Sequence, residues 1–328
     1  MPNKTKMSKD IEIDGQVFKV GQNGVVRLTV GRLPSDTEIS IDAHVFRSKI
    51  EGPSVLILAG VHGDEINGIE IVRRFLHGNS LGSMQAGSII VIPLLNVFGF
   101  INFNRYVPDG KDVNRSFPGT MNGSLASRIA RTLTKFILPN IDYIFDFHTG
   151  GDSRFNYPQI RVSKLDYEAM ELAKAFDSPM IIHAGTIPKS LRRIAQDFGA
   201  TTIIYEGGES VRLSQLAIDR GLQGLLNCLS YLGIMPANFK QTKEHEEKVL
   251  IRKTSWLRAG HSGIFIWTHC SGMKVKKGEK IGTINDPYGL KSISVICHRN
   301  GYIIGHNNAS VVNHGDALFH IGYESEVL

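Results

Sequence analysis

The stretch from Ser54 to Glu65 constrains the fold more than any other part of this 328-residue chain. Val55-Leu56-Ile57-Leu58, opened by Ser54, is an apolar run of the length expected for a buried strand. It gives way to Ala59-Gly60-Val61-His62-Gly63-Asp64-Glu65, whose glycines let the backbone turn sharply. A helical pattern then runs over 66–76. A strand, a tight turn and a helix in that order are the building unit of a layered α/β fold.

The unit recurs. Strand candidates at 54–58, 88–94, 143–147, 180–183 and 201–206 alternate with helix candidates at 66–76, 124–137, 166–176, 190–198 and 211–232. This predicts an α/β class, with a mostly parallel or mixed sheet flanked by helices. Within residues 1–50, Gly24-Val25-Val26-Arg27-Leu28-Thr29-Val30 and Glu38-Ile39-Ser40-Ile41-Asp42-Ala43-His44-Val45-Phe46 alternate apolar and polar positions. Those residues are read as antiparallel strands leading into the main sheet. A chain of this length exceeds one ordinary core, so a second domain is expected. The polar stretch 236–248 is read as the connection, with the main domain at 51–245 and a small all-β sandwich domain at 249–328. The second region carries an internal echo. Gly263-Ile264-Phe265-Ile266 is matched by Gly301-Tyr302-Ile303-Ile304, and Val275-Lys276-Lys277-Gly278-Glu279 by Val312-Asn313-His314-Gly315-Asp316. Two half-units of about three dozen residues predict internal two-fold symmetry.

His62 and Glu65 sit at the exit of the first strand, and His148 sits at the exit of another, in Phe145-Asp146-Phe147-His148-Thr149-Gly150. Two imidazoles and one carboxylate are a zinc set with a fourth position left for water, the pattern of a catalytic site. Open α/β sheets bind ligands at the carboxyl ends of their strands. Glu206, in Ile203-Ile204-Tyr205-Glu206-Gly207-Gly208, falls at such an end and is the candidate general base, because burial would raise its pKa to a useful value. Glu209 is expected further into the loop, facing solvent. Arg105, and Asn114 with Arg115 in Asp112-Val113-Asn114-Arg115-Ser116-Phe117-Pro118-Gly119, lie in a loop between strand and helix. Two arginines and an asparagine can bind a carboxylate and an oxyanion together, since the planar fork of arginine matches a carboxylate. Arg161, in Asn156-Tyr157-Pro158-Gln159-Ile160-Arg161, is a further candidate substrate contact.

The motifs GVHGDE, DVNRSFPG, DFHTG and YEGG, in this order over positions 60–208, resemble the succinylglutamate desuccinylase/aspartoacylase family, a relative of the zinc carboxypeptidases of the A type. The resemblance implies one zinc ion per chain on His62, Glu65 and His148, with Glu206 as general base and acid. It implies that Arg105 polarises the scissile carbonyl, and that Asn114 and Arg115 hold the substrate carboxylate. The implied activity is hydrolysis of the amide bond of an N-acyl amino acid or a similar small carboxylate. A carboxypeptidase acting on peptides is the alternative from the same chemistry, and access to the metal separates the two. A non-catalytic zinc-binding module that engages a partner is the alternative from another class. The C-terminal region resembles the biotinyl/lipoyl-like barrel-sandwich hybrid of longer family members. Met273-Lys274 precedes a turn, and the expected hairpin tip near 286–291 carries no modification motif. The region is therefore read as a cap or assembly module.

Charge excludes little but directs attention. The net +6 (37 basic minus 31 acidic residues) is scattered, with no basic stripe interleaved with aromatics, so nucleic acid is not the expected partner. A basic pocket for an anionic small molecule is compatible with it. The first ten residues are polar and carry no signal core, and no run approaches the roughly 18 apolar residues of a membrane span. Three cysteines without CxxC spacing argue for a reducing, cytoplasmic setting. Homo-oligomer formation is left open.

Overall fold

Strands form in this chain where apolar side chains must be buried on one or both faces. The computed structural model describes residues 10–237 and 247–328. Residues 1–9 and most of the 236–248 connection lie outside them. A small hairpin of β1 (Ile11–Ile13) and β2 (Gln16–Phe18) precedes the antiparallel pair β3 (Gly24–Arg32) and β4 (Glu38–Arg47). The alternating unit follows as β5 (Ser54–Leu58), α1 (Ile66–His77), β6 (Ser88–Ile92), the short α2 (Val97–Ile101) and α3 (Leu125–Thr132). Next come β7 (Tyr143–Gly150), β8 (Arg154–Val162), α4 (Tyr167–Phe176), β9 (Met180–His183), α5 (Leu191–Asp197), β10 (Thr201–Glu209) and α6 (Gln215–Tyr231). Serine or aspartate caps four of the helices: Ser124, Asp166, Ser190 and Ser214 each accept a backbone N–H of the first turn.

The sheet is mixed. Strands β6, β5, β7 and β10 run parallel, β8 is antiparallel to β10, and β4 with β3 forms an antiparallel margin. Alternate residues of β5 point to opposite faces. Val55 and Ile57 join a core with residues of α1, α4 and α6, and Leu56 and Leu58 join a second core with residues of α3 and α5. The helix expected over 124–137 changes character midway. Regular α-helix stops at Thr132 and a π-turn covers Leu133–Ile137. There the Thr132 and Thr134 hydroxyls donate back to the Arg128 and Ala130 carbonyls, competing with the helical ladder. Strand β8 has no counterpart among the strand candidates, because Arg154, Asn156, Pro158, Gln159 and Arg161 interrupt its apolar signature.

The C-terminal region comprises β11 (Val249–Arg258), β12 (Gly263–Trp267), β13 (Lys274–Val275) and β14 (Lys280–Asn285), then β15 (Ser292–Ile296), β16 (Gly301–Asn307), β17 (Val311–Val312) and β18 (Ala317–Val327). The two halves exchange strands in matching register. Gly263 pairs with Val312 as Gly301 pairs with Val275, and Ile264 with Val311 as Tyr302 with Lys274. This is the two-fold symmetry expected from the repeated segments. The hairpin tip lies between β14 and β15, where it was expected. The sandwich is continuous with the main sheet. One of its two sheets adds β11 alongside β9, and β16 also pairs with β8, so β8, β9, β11, β18 and β16 form a closed ring of strands. Among the described residues no helix is long and apolar enough to cross a membrane. All three cysteines are free.

Two buried histidines at this junction make stability depend on pH. Burial pushes the imidazole pKa of His306 down to about 4. Burial, reinforced by the nearby charge of Arg161, pushes that of His320 down to about 3. Both are therefore neutral in the fold, whereas an unfolded histidine titrates near 6.5. Below that value the unfolded chain binds protons that the fold refuses, so stability is lost as pH falls from about 6.5 toward 4. At pH 5 each histidine is expected to cost about 1–2 kcal/mol relative to pH 7.5. Thermal melts across that range should fall, and His320→Gln should flatten the slope. A melting temperature independent of pH in wild type contradicts this expectation.

Candidate metal centre and active site

The ends of three adjacent parallel strands bring the candidate residues together. After Leu58 the chain turns through Gly60, in the left-handed region at φ 64°, and presents His62. Glu65 stands at the N-terminus of α1. Strand β7 lies beside β5 with Asp146 opposite Leu58, so His148 emerges two residues beyond. Strand β10 lies on the other side of β7 and pairs Glu206 with His148. The register breaks just after Glu206, at Gly207 and Gly208, a bulge that re-aims the strand at the site.

The three candidate ligands meet in a buried cluster. Glu65 Oε1 lies 2.7 Å from His62 Nδ1, and Glu65 Oε2 lies 2.8 Å from His148 Nδ1. All three donor atoms fall within 4.8 Å of one another. The far nitrogen of each ring faces a carboxylate. His62 Nε2 is 3.3 Å from Asp112 Oδ1, and His148 Nε2 is 3.0 Å from Asp146 Oδ2. Such outer carboxylates fix the ring orientation and make the inner nitrogen a better ligand. Burial would raise the pKa of Glu65, but the two histidines outweigh it and hold the carboxyl well below its usual range. Burial would lower both imidazoles, but Glu65 with Asp112 raises His62, and Asp146 with Glu65 raises His148. With the imidazoles neutral, Glu65, Asp112 and Asp146 place three formal negative charges around the convergence point. Arg105 and a divalent cation would balance them. The donor set, its burial and its outer carboxylates fit such an ion.

A pocket of about 270 Å³ opens beside this cluster, lined by Arg105, Asn114, Arg115, Arg161, Glu206 and others. Arg105 is fastened to Asp112 through Nε and Nη2, at 3.2 and 2.9 Å, which leaves Nη1 3.3 Å from Glu65 Oε1. Asn114 is buried, and its Oδ1 accepts the backbone N–H of Leu191. Its amide NH₂ is the part open to a ligand. Arg115 donates through Nη1 to the Asn114 carbonyl. Arg161 pairs with Glu206, Nη1 to Oε1 at 3.3 Å. A larger cavity of about 530 Å³ lies at the opposite, amino ends of the strands, near Asp10, Arg47 and Asp142. Among the described residues it contains no metal-ligating cluster, whereas the smaller pocket adjoins one.

The chain matches the family model for the succinylglutamate desuccinylase/aspartoacylase catalytic domain over residues 51–232. The chain belongs to this family. It is 26% identical over 332 residues to an N-alpha-acetyl-L-2,4-diaminobutyric acid deacetylase from Halomonas elongata, covering 97% of this chain and 94% of that one. A crystal structure of a succinylglutamate desuccinylase/aspartoacylase from Rhodobacter sphaeroides superposes with a TM-score of 0.82 at 25% identity, covering 96% of this chain and 98% of that one. The product-bound ectoine utilization protein EutE (DoeB) from Ruegeria pomeroyi shares the fold, with a TM-score of 0.81 at 22% identity over 96% and 99% of the two chains.

Three features of this desuccinylase/aspartoacylase family member escape sequence reasoning. Arg192 lines the pocket from α5 and is buried, and its Nη2 donates to the Ala184 and Gly185 carbonyls. Its Nη1 is buried without a partner, and burial together with the neighbouring Arg161 lowers its pKa. A buried guanidinium with an unused donor in a pocket calls for an anionic ligand. Trp256 reaches the same pocket from β11 of the C-terminal sandwich and stacks flat on His320, with ring centroids 4.4 Å apart. Glu209 corrects an expectation. It does not face solvent; it ends β10 and is buried, and its Oε2 accepts from Asn308 Nδ2 at 2.5 Å. The loop that was expected to expose it is tied down by the Asn67 amide, which donates to the Glu209 and Arg212 carbonyls.

Proposed function

We propose that this chain is a zinc-dependent hydrolase that cleaves the amide bond of an N-acyl amino acid. The observation that supports this best is the β7–β10 register, which stands Glu206 beside His148 in a pocket walled by arginines. One zinc ion held by His62, Glu65 and His148 would supply a Lewis acid for the carbonyl and a water of lowered pKa.

The protein's own groups do the rest. Glu206 accepts a proton from the attacking water as the new C–O bond forms, and returns it to the amine nitrogen as the C–N bond breaks. Arg105, held in place by Asp112, offers its free N–H groups to the carbonyl oxygen as negative charge grows there. The Asn114 amide, Arg115 and Arg192 hold the carboxylate of the amino acid, which positions the amide over Glu206. Arg161 touches Glu206 and acts on the base as well as on the substrate rim. The pocket volume and the Trp256 wall favour a small substrate over a peptide, which would need an open groove. Three free cysteines suit a reducing compartment such as the cytoplasm.

The test is a panel of N-acetyl and N-succinyl amino acids, including N-acetyl-2,4-diaminobutyrate, N-acetylaspartate and N-succinylglutamate, read by release of free amine. At least one is expected to be hydrolysed. For that substrate, an analogue lacking the α-carboxylate should lose about 100-fold in kcat/KM with wild type and much less with Arg192→Ala. Trimming of peptides without any deacylation would hand the site to the carboxypeptidase alternative.

A further inference from the structure

The carboxylate of Glu206 is gripped at both oxygens. Arg161 Nη1 stands 3.3 Å from Oε1, and Asn156 Nδ2 donates to Oε2 at 2.7 Å. Asn156 is buried on β8, and its own surroundings come from the C-terminal sandwich. Strand β16 pairs with β8 so that Gly305 faces Asn156 and His306 faces Phe155. A Cβ on residue 305 would lie 2.7 Å from Asn156 Oδ1 and 3.0 Å from the Phe155 carbonyl oxygen. The glycine is required for this approach alone, because residue 305 is not among the positive-φ glycines. The contact is braced. Ser271 Oγ lies 2.6 Å from His306 Nδ1 and donates to the Phe155 carbonyl at 3.3 Å. Thus β16 runs close beside the Asn156 amide with no room for a side chain at residue 305, while the Asn156 NH₂ donates to Glu206.

We propose that Asn156 is a positioning residue for Glu206, and that the C-terminal sandwich sets its orientation through the close approach of β16 at Gly305. The sandwich then contributes to turnover at a residue that need not touch substrate. This rests on Glu206 being the proton carrier.

Asn156→Ala is expected to lower kcat about 10- to 100-fold, the scale of a misaligned catalytic group, with KM and bound metal unchanged. Gly305→Ala, which displaces the amide, should lower kcat in the same way. In the Asn156→Ala background it should do nothing further, whereas a general loosening of the sheet would add in both backgrounds. Asn156→Asp keeps the shape and replaces the donor with a second carboxylate, so it should be at least as slow as Asn156→Ala even if Gly305→Ala does not fold. Thermal melts and metal analysis accompany each variant. Wild-type kcat in Asn156→Ala or Asn156→Asp, a change confined to KM, or additive losses in the double variant overturn the proposal. Glu206→Gln separates the two ideas. If it is inactive while the Asn156 variants run at wild-type rate, only the positioning role fails. If it retains wild-type activity, the reading of Glu206 fails first.

Discussion

Glu206→Gln is expected to lower kcat by about 10³-fold while the protein keeps its metal and its melting temperature, because general acid–base groups contribute on that scale. Glutamine has the same shape, and its amide oxygen can still accept from Asn156 Nδ2. What it loses is the ability to take a proton from water and return it to the departing amine. The arginines proposed to hold the substrate carboxylate are untouched, so KM should change little and the loss should fall on kcat. The loss of the Arg161 pair is a small structural matter, since that arginine is partly exposed. Glu209 is poorly placed to substitute, being engaged by Asn308 and Arg212. A rate for Glu206→Gln within a few-fold of wild type would remove the proton carrier from the mechanism.

His148→Ala should abolish both metal binding and turnover. One of the three proposed ligands disappears, and with it the ring that lies between Glu65 and Asp146. The Asp146 carboxylate, 1% exposed, then loses the imidazole that faces it 3.0 Å away in the core. Leaving a buried polar group without its neighbour costs about 1–3 kcal/mol, so the variant should also melt at a lower temperature. A chelator applied to wild type isolates the metal from the packing. It should remove activity and leave the His148 ring in place, and added zinc should restore the rate. Elemental analysis of both samples decides the matter. A stoichiometric metal in His148→Ala, or a chelated enzyme at full rate, would be incompatible with the site.

Most of the site was legible because its residues sit at strand exits, where glycines mark the turn. The apolar runs ending near Leu58, Phe147 and Tyr205 each announce a strand, and His62, His148 and Glu206 follow directly. Their convergence depends on β10, β7 and β5 being neighbours, an order that periodicity does not contain. Arg192 was not legible, since it sits beside Arg193 in a short helix and only packing tells the buried one from the exposed one. Asp112 and Asp146 lie within the DVNRSFPG and DFHTG motifs, but only the fold sets them against His62 and His148. Strand β8 was hidden by its own polar residues, of which Arg154, Asn156 and Arg161 line the pocket. Asn156 is the clearest case: nothing local marks it, and its environment arrives from a strand about 150 residues away.

The paired halves of the sandwich are alike in register yet unequal in surroundings. The first strand of one half, β11, continues into the catalytic sheet, while its counterpart β15 remains an outer margin. Of the two corresponding borders, only that of β11 joins the main sheet. The appendage is consequently inseparable in a physical sense. Severing it before Val249 would strip β9 of a neighbour and leave β8 without β16, exposing unpaired backbone on the strand that holds Asn156 against Glu206.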